Sequence, residues 1–273
     1  KTLFMQFACS SCIGVACEAC GCAASAAIGA AALASYCVLL AVSRALMPHL
    51  VPATYARLDT ESSGRMYWDS SFVATFNAAV NCTLAIFAIV EEPRLVWGDD
   101  LYLQTRSSCY VVVVFLAWIT FELAMQLLYW GRWPGGHSMV VHHSTALVAW
   151  LFFWQGGYGH GLTLFGVLCE LTNPFMSFRY FLSAMGLKQS RLYLVNGLAF
   201  VFSWLAVRVL LCPIGGTLLI WRQWALISGL PLWRAALMVS FFGLGTFLQL
   251  MWGQKLLAGA VKVLFGEEHP KES

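Results

Sequence analysis

Residues 108–130 form an unbroken apolar run, SCYVVVVFLAWITFELAMQLLYW, in which Glu122 is the only acidic or basic side chain. A helix that crosses a membrane needs about 20 mainly apolar residues, so this run is long enough to span a bilayer. It is followed by the sequence GRWP at residues 131–134, which is typical of a turn. The run therefore predicts a transmembrane helix and indicates a helical membrane protein.

The composition of the whole chain agrees with this interpretation. Of its 273 residues, 60% are hydrophobic and only 11% are charged, whereas a soluble domain is about 25% charged. The 16 Lys and Arg and the 13 Asp and Glu leave a net charge of +3, spread over the whole length. This composition excludes a soluble globular enzyme, a disordered chain and a nucleic-acid-binding protein, which needs clustered basic residues.

Seven stretches have the length and composition of a membrane span, separated by polar residues, Pro and Gly. They cover residues 22–45, 70–90, 108–130, 138–155, 161–182, 191–212 and 232–258. Pro213 predicts the end of the sixth span. The apolar stretch 217–228 is short and contains Arg222, which favours an interfacial or re-entrant segment. The predicted fold class is all-α, a polytopic membrane protein with about seven transmembrane helices.

Lys and Arg are distributed unevenly between the two sets of connecting segments. With seven spans, nine of them lie on the side of the C-terminus and five on the opposite side. The positive-inside rule therefore predicts a cytosolic C-terminus, with the N-terminus outside the cell or in a lumen.

Eight polar or ionisable residues fall within the predicted spans or at their edges. They are Glu122, His142, His143, Glu170, Asn173, Arg179, Asn196 and Arg208. Each ionisable group at the bilayer centre costs about 2.5–3.5 kcal/mol, so we expect these side chains to face one another around an interior cavity. In the alternative interpretation they only join helices by hydrogen bonds worth about 0.6–2 kcal/mol each. Chemistry alone does not favour either interpretation.

The adjacent pair His142-His143 is one of two more specific features. Neighbouring residues on a helix point about 100° apart, so one imidazole can line a cavity while the other contacts a neighbouring helix. A neutral His is a good general base near pH 7, and it becomes a nucleophile when a carboxylate orients it. The pair is therefore a candidate catalytic site.

The second feature is the sequence ELTNP at residues 170–174. Pro174 has no backbone N–H, which predicts that the carbonyl of Glu170, four residues earlier, is left without its helical partner. Such a break is tolerated inside a membrane where it borders a cavity or other polar groups of the protein. Arg179 lies on nearly the opposite face from Glu170, so we expect it to pair with another helix.

Together, these residues resemble the TLC domain, a superfamily that includes the ceramide synthases and several non-synthase membrane proteins. The resemblance rests on His142-His143, the run ELTNPF at 170–175 with Arg179, the pair Asn196-Gly197, and Arg208. It covers about 68–260 and implies that the second to seventh spans form a six-helix barrel around a lipid-accessible cavity. It leaves residues 1–67 as a Cys-rich segment with one membrane helix, and 261–273 as a polar tail.

The resemblance to the ceramide synthases themselves is incomplete. In that branch the double His is followed, after a fixed interval, by His-Asp and a further Asp, and the same interval here reaches Cys169, Glu170 and Asn173. The acyl-transfer residues are thus half present, which is typical of a non-synthase branch. If the protein is an enzyme, the resemblance implies an acyltransferase with acyl-CoA as donor, His142 or His143 as base or nucleophile, and Glu170 as the orienting acid.

Besides the paired histidines and Glu170, we expect six residues to line the cavity. They are Glu122, Asn173, Pro174, Arg179, Asn196 and Arg208. We expect a bound lipid rather than a metal or a further cofactor, with membrane lipids as the main partners. The expected location is an intracellular membrane, the endoplasmic reticulum or that of another organelle.

Five cysteines crowd the start of the chain, at Cys9, Cys12, Cys17, Cys20 and Cys22. Two CxxC pairs normally suggest zinc, but the four residues between these pairs are fewer than the about 15–20 of a zinc ribbon. Helix packing or S-acylation explains the cluster better than disulfides or a metal. The Ala and Gly residues that follow also suit close packing against a protein partner.

Three functions are compatible with the sequence. The first is a protein that binds lipids or acyl chains in an intramembrane cavity and influences membrane lipid composition. The second is a non-catalytic accessory subunit of a larger membrane complex, and the third is an acyl-CoA-dependent N-acyltransferase.

Overall fold

The structure is a computed structural model that describes residues 21–58 and 64–265. Within these residues the backbone forms helices and turns without a β-strand, which confirms the all-α prediction. The first four cysteines of the N-terminal cluster and the end of the polar tail lie outside the described residues.

Twelve α-helices follow one another in the described part of the chain. They are α1 (Cys22–Leu50), α2 (Pro52–Arg57), α3 (Gly64–Glu91), α4 (Arg94–Trp97), α5 (Arg106–Leu128), α6 (Gly136–Gly156), α7 (His160–Leu168), α8 (Asn173–Ala184), α9 (Arg191–Ser203), α10 (Cys212–Arg222), α11 (Trp224–Ser228) and α12 (Leu232–Phe265). A 3-10 turn, Cys169–Thr172, joins α7 to α8, and a π-helical segment, Trp204–Leu211, joins α9 to α10.

Five helical stretches are long and apolar enough to cross a membrane, so the chain is an integral membrane protein with several spans. They are Ala23–Leu50, Gly64–Glu91, Arg106–Leu128, Arg191–Arg222 and Leu232–Lys262. The two other predicted spans correspond to α6 and to α7 with α8, which the 3-10 turn divides. Their membrane crossing, and with it the number seven, stays a prediction.

The sixth span continues through Pro213, so the prediction that it ends at residue 212 is wrong. Pro213 lies in the first turn of α10, directly after the π-helical segment, and a proline is tolerated in the first turn of a helix. The glycines that follow serve close packing, because a Cβ on Gly215 would lie 2.7 Å from the ring of Phe165. The expected separate segment 217–228 is instead the end of α10 together with α11.

Helix α5 is the central element of the fold. It contacts α1, α3, α6 and α7, and Val111, Trp118 and Ile119 are buried along it. It begins with a capping box, in which the Thr105 side chain accepts a hydrogen bond from the backbone N–H of Ser108 and the Ser108 side chain accepts one from that of Thr105. This cap satisfies N–H groups that otherwise have no partner at a helix start.

Two contacts show how the connecting segments are grouped at opposite ends of the helices. Arg222, at the end of α10, donates to the carbonyl of Trp97 in α4. Tyr180, near the end of α8, donates to the carbonyl of Gly64 at the start of α3, over 3.1 Å. The end of α10 therefore lies beside the segment that follows α3, and the end of α8 lies beside the start of α3.

Candidate functional site

Two cavities adjoin at the level of the paired histidines, with volumes of about 140 and about 400 Å³. Both are lined by Trp118, His142, His143, Glu170 and Arg208. The smaller, here called the apolar cavity, is otherwise lined mainly by hydrophobic side chains such as Phe115, Trp150, Phe153 and Phe241. The larger, here called the polar cavity, includes Ser70, Ser71, Glu122, Asn173, Ser177 and Lys255.

Three of the residues expected to line the cavity do not reach either one. Pro174, Arg179 and Asn196 are absent from both linings. The guanidinium of Arg179 lies 4.1 Å from the ring centroid of Tyr193, and Asn196 donates to the carbonyl of Phe175 over 2.9 Å. After the break at Pro174, the side chains of Arg179 and Asn196 hold α8 against α9.

His142 faces both cavities. Its ring lies edge-on to Trp252, with 5.3 Å between the centroids, and 5.2 Å from the ring of His143. No described residue forms a hydrogen bond with its imidazole. Its ring nitrogens are therefore available to a molecule in the cavities.

His143 has a defined partner. The side-chain amide nitrogen of Gln126 lies 2.6 Å from its Nδ1 and also donates to Glu122 Oε1 over 3.4 Å. Because an amide nitrogen donates, Nδ1 accepts in this geometry and the ring proton lies on Nε2. A neutral amide, rather than a carboxylate, therefore orients His143.

Glu170 is held by amides and a guanidinium. Its Oε2 accepts hydrogen bonds from Asn173 over 2.8 Å and from Asn77 over 3.3 Å. Its Oε1 lies 4.0 Å from Nη2 of Arg208. Glu170 forms no hydrogen bond with either of the paired histidines in the described structure. Its geometry is therefore not that of the acid expected to orient them.

Arg208 forms hydrogen bonds with the 3-10 turn that precedes Pro174. Its Nε donates to the carbonyl of Cys169 over 3.0 Å and to Oγ1 of Thr172 over 2.8 Å. The carbonyl of Glu170, which the sequence predicted to be freed, instead accepts the backbone N–H of Asn173. The 3-10 turn shortens the hydrogen-bonding interval from four residues to three, which gives the Glu170 carbonyl a partner.

The rest of the Arg208 guanidinium joins further elements. Nη1 donates to Gln249 of α12 over 3.0 Å, and Nη2 to Asn173 over 3.2 Å. The guanidinium carbon also lies 4.6 Å from the ring centroid of Trp204. Arg208 is 6% exposed, and its partners make it the link between the π-helical segment, the 3-10 turn and α12.

Sequence reasoning missed a polar connection between α1 and the site. The hydroxyl of Tyr36 donates to Asn77 Oδ1 over 2.8 Å, and Asn81 donates to the same oxygen. Asn77 in turn donates to Glu170. The four-residue interval between Asn77 and Asn81 in an apolar span, which puts both on one helix face, was the available signal.

Glu122 has hydrogen-bond donors but no cationic partner among the described residues. Ser70 donates to its Oε2 over 3.3 Å, in addition to the contact with Gln126. It is 9% exposed and lines the polar cavity. Residues 21–58 and 64–265 contain no group of three or more His, Cys, Asp or Glu side chains placed to hold a metal ion.

The TLC domain family model matches residues 67–258. TLC domain-containing protein 4-B of Xenopus laevis is 26% identical over 155 residues, which cover 55% of this chain and 57% of the relative. TLC domain-containing protein 4 A of Dictyostelium discoideum is 24% identical over 210 residues, 74% of this chain and 77% of the relative. TLC domain-containing protein 4-B of Danio rerio is 24% identical over 217 residues, which cover 73% of this chain and 76% of the relative.

These relatives carry the name of the domain and not that of a ceramide synthase, in agreement with the expected non-synthase branch. No solved structure gives a significant match to the chain.

Proposed function

The chain belongs to the TLC domain family, and from that premise we propose that it binds a lipid or acyl chain in its two cavities and thereby influences membrane lipid composition. The observation that carries the proposal is the wall of five residues, from Trp118 to Arg208, that the apolar and polar cavities have in common. An amphipathic molecule is the ligand type that uses both environments.

The two linings suit different parts of such a ligand, its hydrocarbon in the apolar cavity and its polar groups in the polar cavity. The apolar cavity suits a hydrocarbon chain, because its side chains are as apolar as the lipid interior from which the chain would enter. Hydroxyl, amide or ester groups find hydrogen-bonding partners in the polar cavity, among them Ser70, Asn173 and the unpartnered ring of His142.

The proposal is tested by the lipid content of the purified protein. Ala146 lines the apolar cavity, so Ala146→Phe fills space that the hydrocarbon needs. Val148, on the same helix, is 40% exposed, which makes Val148→Phe the matched control. Mass spectrometry is expected to find lipid in the wild type and in Val148→Phe, and less in Ala146→Phe. Equal lipid content in all three proteins would contradict the proposal.

N-acyl transfer from acyl-CoA is the second candidate, and one observation favours it. His142 faces both cavities without a hydrogen-bond partner, as a base awaiting a substrate would. The lack of a contact between Glu170 and the histidines, and Cys169 at the position of a motif His, weaken it. Release of free CoA from acyl-CoA and a long-chain amine, abolished in His142→Ala, would establish this candidate.

An accessory role in a membrane complex is a third candidate, with weaker support. Gly29 of α1 faces α5, since a Cβ on it would lie 3.2 Å from Val113, whereas Ala26, Ala27, Ala30 and Ala31 are exposed. A protein partner would therefore contact the outer face of α1, where Val38 and Leu46 are exposed. Cross-linking from an outer position, followed by mass spectrometry, would identify a stoichiometric partner.

The proposed location is an intracellular membrane, the endoplasmic reticulum in the first instance, with the C-terminus in the cytosol. The excess of Lys and Arg on the C-terminal side supports the orientation. Glycosylation acceptor sites inserted after residue 265 and within residues 98–104 test it, because only the second is expected to be modified in the lumen.

A further inference from the structure

Cys169 and Cys212 lie side by side although 43 residues separate them in the chain. Their sulfurs are 3.3 Å apart, and both are free thiols. A disulfide has an S–S distance of about 2.05 Å, so the sulfurs need to approach by only about 1.2 Å to form one. Both side chains are buried, at 7% and 9% exposure.

In the described part of the chain, the pair lies at two segments that depart from regular α-helical geometry. Cys169 is the first residue of the 3-10 turn, and Cys212 directly follows the π-helical segment. Helix-breaking geometry of this kind marks functional positions more often than regular helix does. A bond between these two residues would tie the two irregular segments together.

Both thiols are also accessible from inside the protein. Cys169 and Cys212 line the apolar cavity. Arg208 lies next to them, with its Nε 3.0 Å from the carbonyl oxygen of Cys169, so a positive charge stands beside the thiols. A small apolar oxidant in the cavity would meet two thiols that are already in contact.

We propose that Cys169 and Cys212 are a redox-active pair that an organic hydroperoxide in the apolar cavity oxidises to a disulfide. One thiol attacks the terminal peroxide oxygen, which yields a sulfenic acid and releases the alcohol with the thiol proton. The second thiol displaces the sulfenic hydroxyl, which leaves with the second thiol proton as water. In total, two thiols and one hydroperoxide give one disulfide, one alcohol and one water.

The disulfide would change the site directly. Glu170 follows Cys169 in the 3-10 turn, and Arg208 lies four residues before Cys212. A bond between the cysteines fixes the separation of the segments that carry these two side chains. Oxidation therefore removes two thiols from the lining of the apolar cavity and restrains the wall that it shares with the polar cavity.

The test is differential alkylation of the full chain in nanodiscs of saturated phospholipid. The protein is treated with cumene hydroperoxide, denatured in the presence of N-ethylmaleimide, reduced, and labelled with the heavy form of the reagent. Cys169 and Cys212 are expected to carry heavy N-ethylmaleimide, the second label, in place of the light reagent, the first label. The two cysteines are expected to carry the heavy label in equal amounts. One cumyl alcohol is expected per disulfide.

Two other cysteines serve as internal controls. Cys37 is exposed, and the sulfur of buried Cys82 contacts the carbonyl of Val167 rather than a second sulfur. Both are expected to keep the first label. In Cys212→Ser, Cys169 is expected to stop at the sulfenic acid, which dimedone traps, whereas Cys37→Ser retains the disulfide.

If Cys212→Ser does not fold, labelling of the wild type alone tests whether Cys169 and Cys212 form the disulfide. The proposal is overturned if Cys169 and Cys212 keep the first label to the same extent as Cys37, or if both become sulfinic acids without a disulfide. These outcomes do not depend on whether the cavities bind lipid.

Discussion

The side-chain amide nitrogen of Gln126 lies 2.6 Å from Nδ1 of His143. Gln126 is on α5, one helical turn after Glu122. This contact gives the paired histidines different environments. Both line the two cavities, but only His143 forms a hydrogen bond with a side chain of a neighbouring helix.

Replacing Gln126 by Leu is expected to lower the free energy of unfolding by about 1 kcal/mol. An unpartnered buried nitrogen on His143 costs about 1–3 kcal/mol, but the Oε1 of Gln126 is itself buried without a partner in the described structure, and its removal offsets part of the loss. Thermal unfolding in detergent measures the change. Gln254→Leu, at an exposed position of α12, is the matched control, and equal midpoints for both variants would contradict the assignment.

Tyr36→Phe is expected to destabilise the protein by about 0.5–1.5 kcal/mol, the net contribution of one hydrogen bond. The variant keeps the ring contacts with Trp118 and Phe121 and loses only the donor to Asn77. Tyr102→Phe, at an exposed side chain, is expected to leave the unfolding midpoint unchanged. If the two variants unfold alike, the Tyr36 hydroxyl does not contribute to the polar connection.

In an alkaline titration, Tyr55 is expected to lose its proton at a higher pH than an ordinary tyrosine. Tyr55 lies in α2, outside the membrane helices. Burial, the hydrogen bond to Asp69 and the negative charge of that residue raise the pKa of Tyr55 from 10.0 to about 12. Since the folded state favours the protonated hydroxyl, its contribution to stability is fully present below pH 10 and is lost as the pH rises through about 12.

The measurement is the tyrosinate absorbance of the wild type minus that of Tyr55→Phe. A midpoint near 12 agrees with the buried hydrogen bond. A midpoint near 10 would mean that α2 does not hold Tyr55 against Asp69 in solution.

Hydropathy predicted the helices well because the solvent around them is hydrocarbon. The run 108–130 appears as α5 over Arg106–Leu128, and the break before Pro174 appears as the 3-10 turn. The length of α10 was not predictable in the same way. A π-helical segment has no compositional signature, so nothing before Pro213 indicated that the helix could continue past it.

The candidate site was predictable in its residue types but not in its pairings. Six of the nine predicted site residues line a cavity, because charged groups in an apolar chain gather away from lipid. Besides nearby Asn173, the partners of Glu170 come from α3 and from the π-helical segment. One sequence read along its length contains no information about which distant side chains meet there.

Gly161→Ala is expected to destabilise the protein by about 1–3 kcal/mol, the usual cost of overpacking. A Cβ at this position would collide with the backbone carbonyl of Leu95, which cannot turn away as a side chain can. Gly243→Ala, where no atom lies within 4 Å of the added Cβ, is expected to gain up to about 1 kcal/mol from helix propensity. Unfolding midpoints that shift in the same direction would show that α4 and α7 are not in contact.

A double-mutant cycle on Arg208 and Glu170 is expected to reveal their coupling. Arg208→Met leaves the buried carboxylate of Glu170 without a cation and removes four hydrogen bonds, so we expect a loss of about 3–5 kcal/mol. Glu170→Gln retains an acceptor for Asn77 and Asn173 and is expected to cost less. In the double variant the uncompensated charge is gone, so it is expected to be more stable than Arg208→Met alone. Strictly additive losses would mean that the 4.0 Å separation is too long for effective pairing, and that Arg208 acts only through the 3-10 turn and α12.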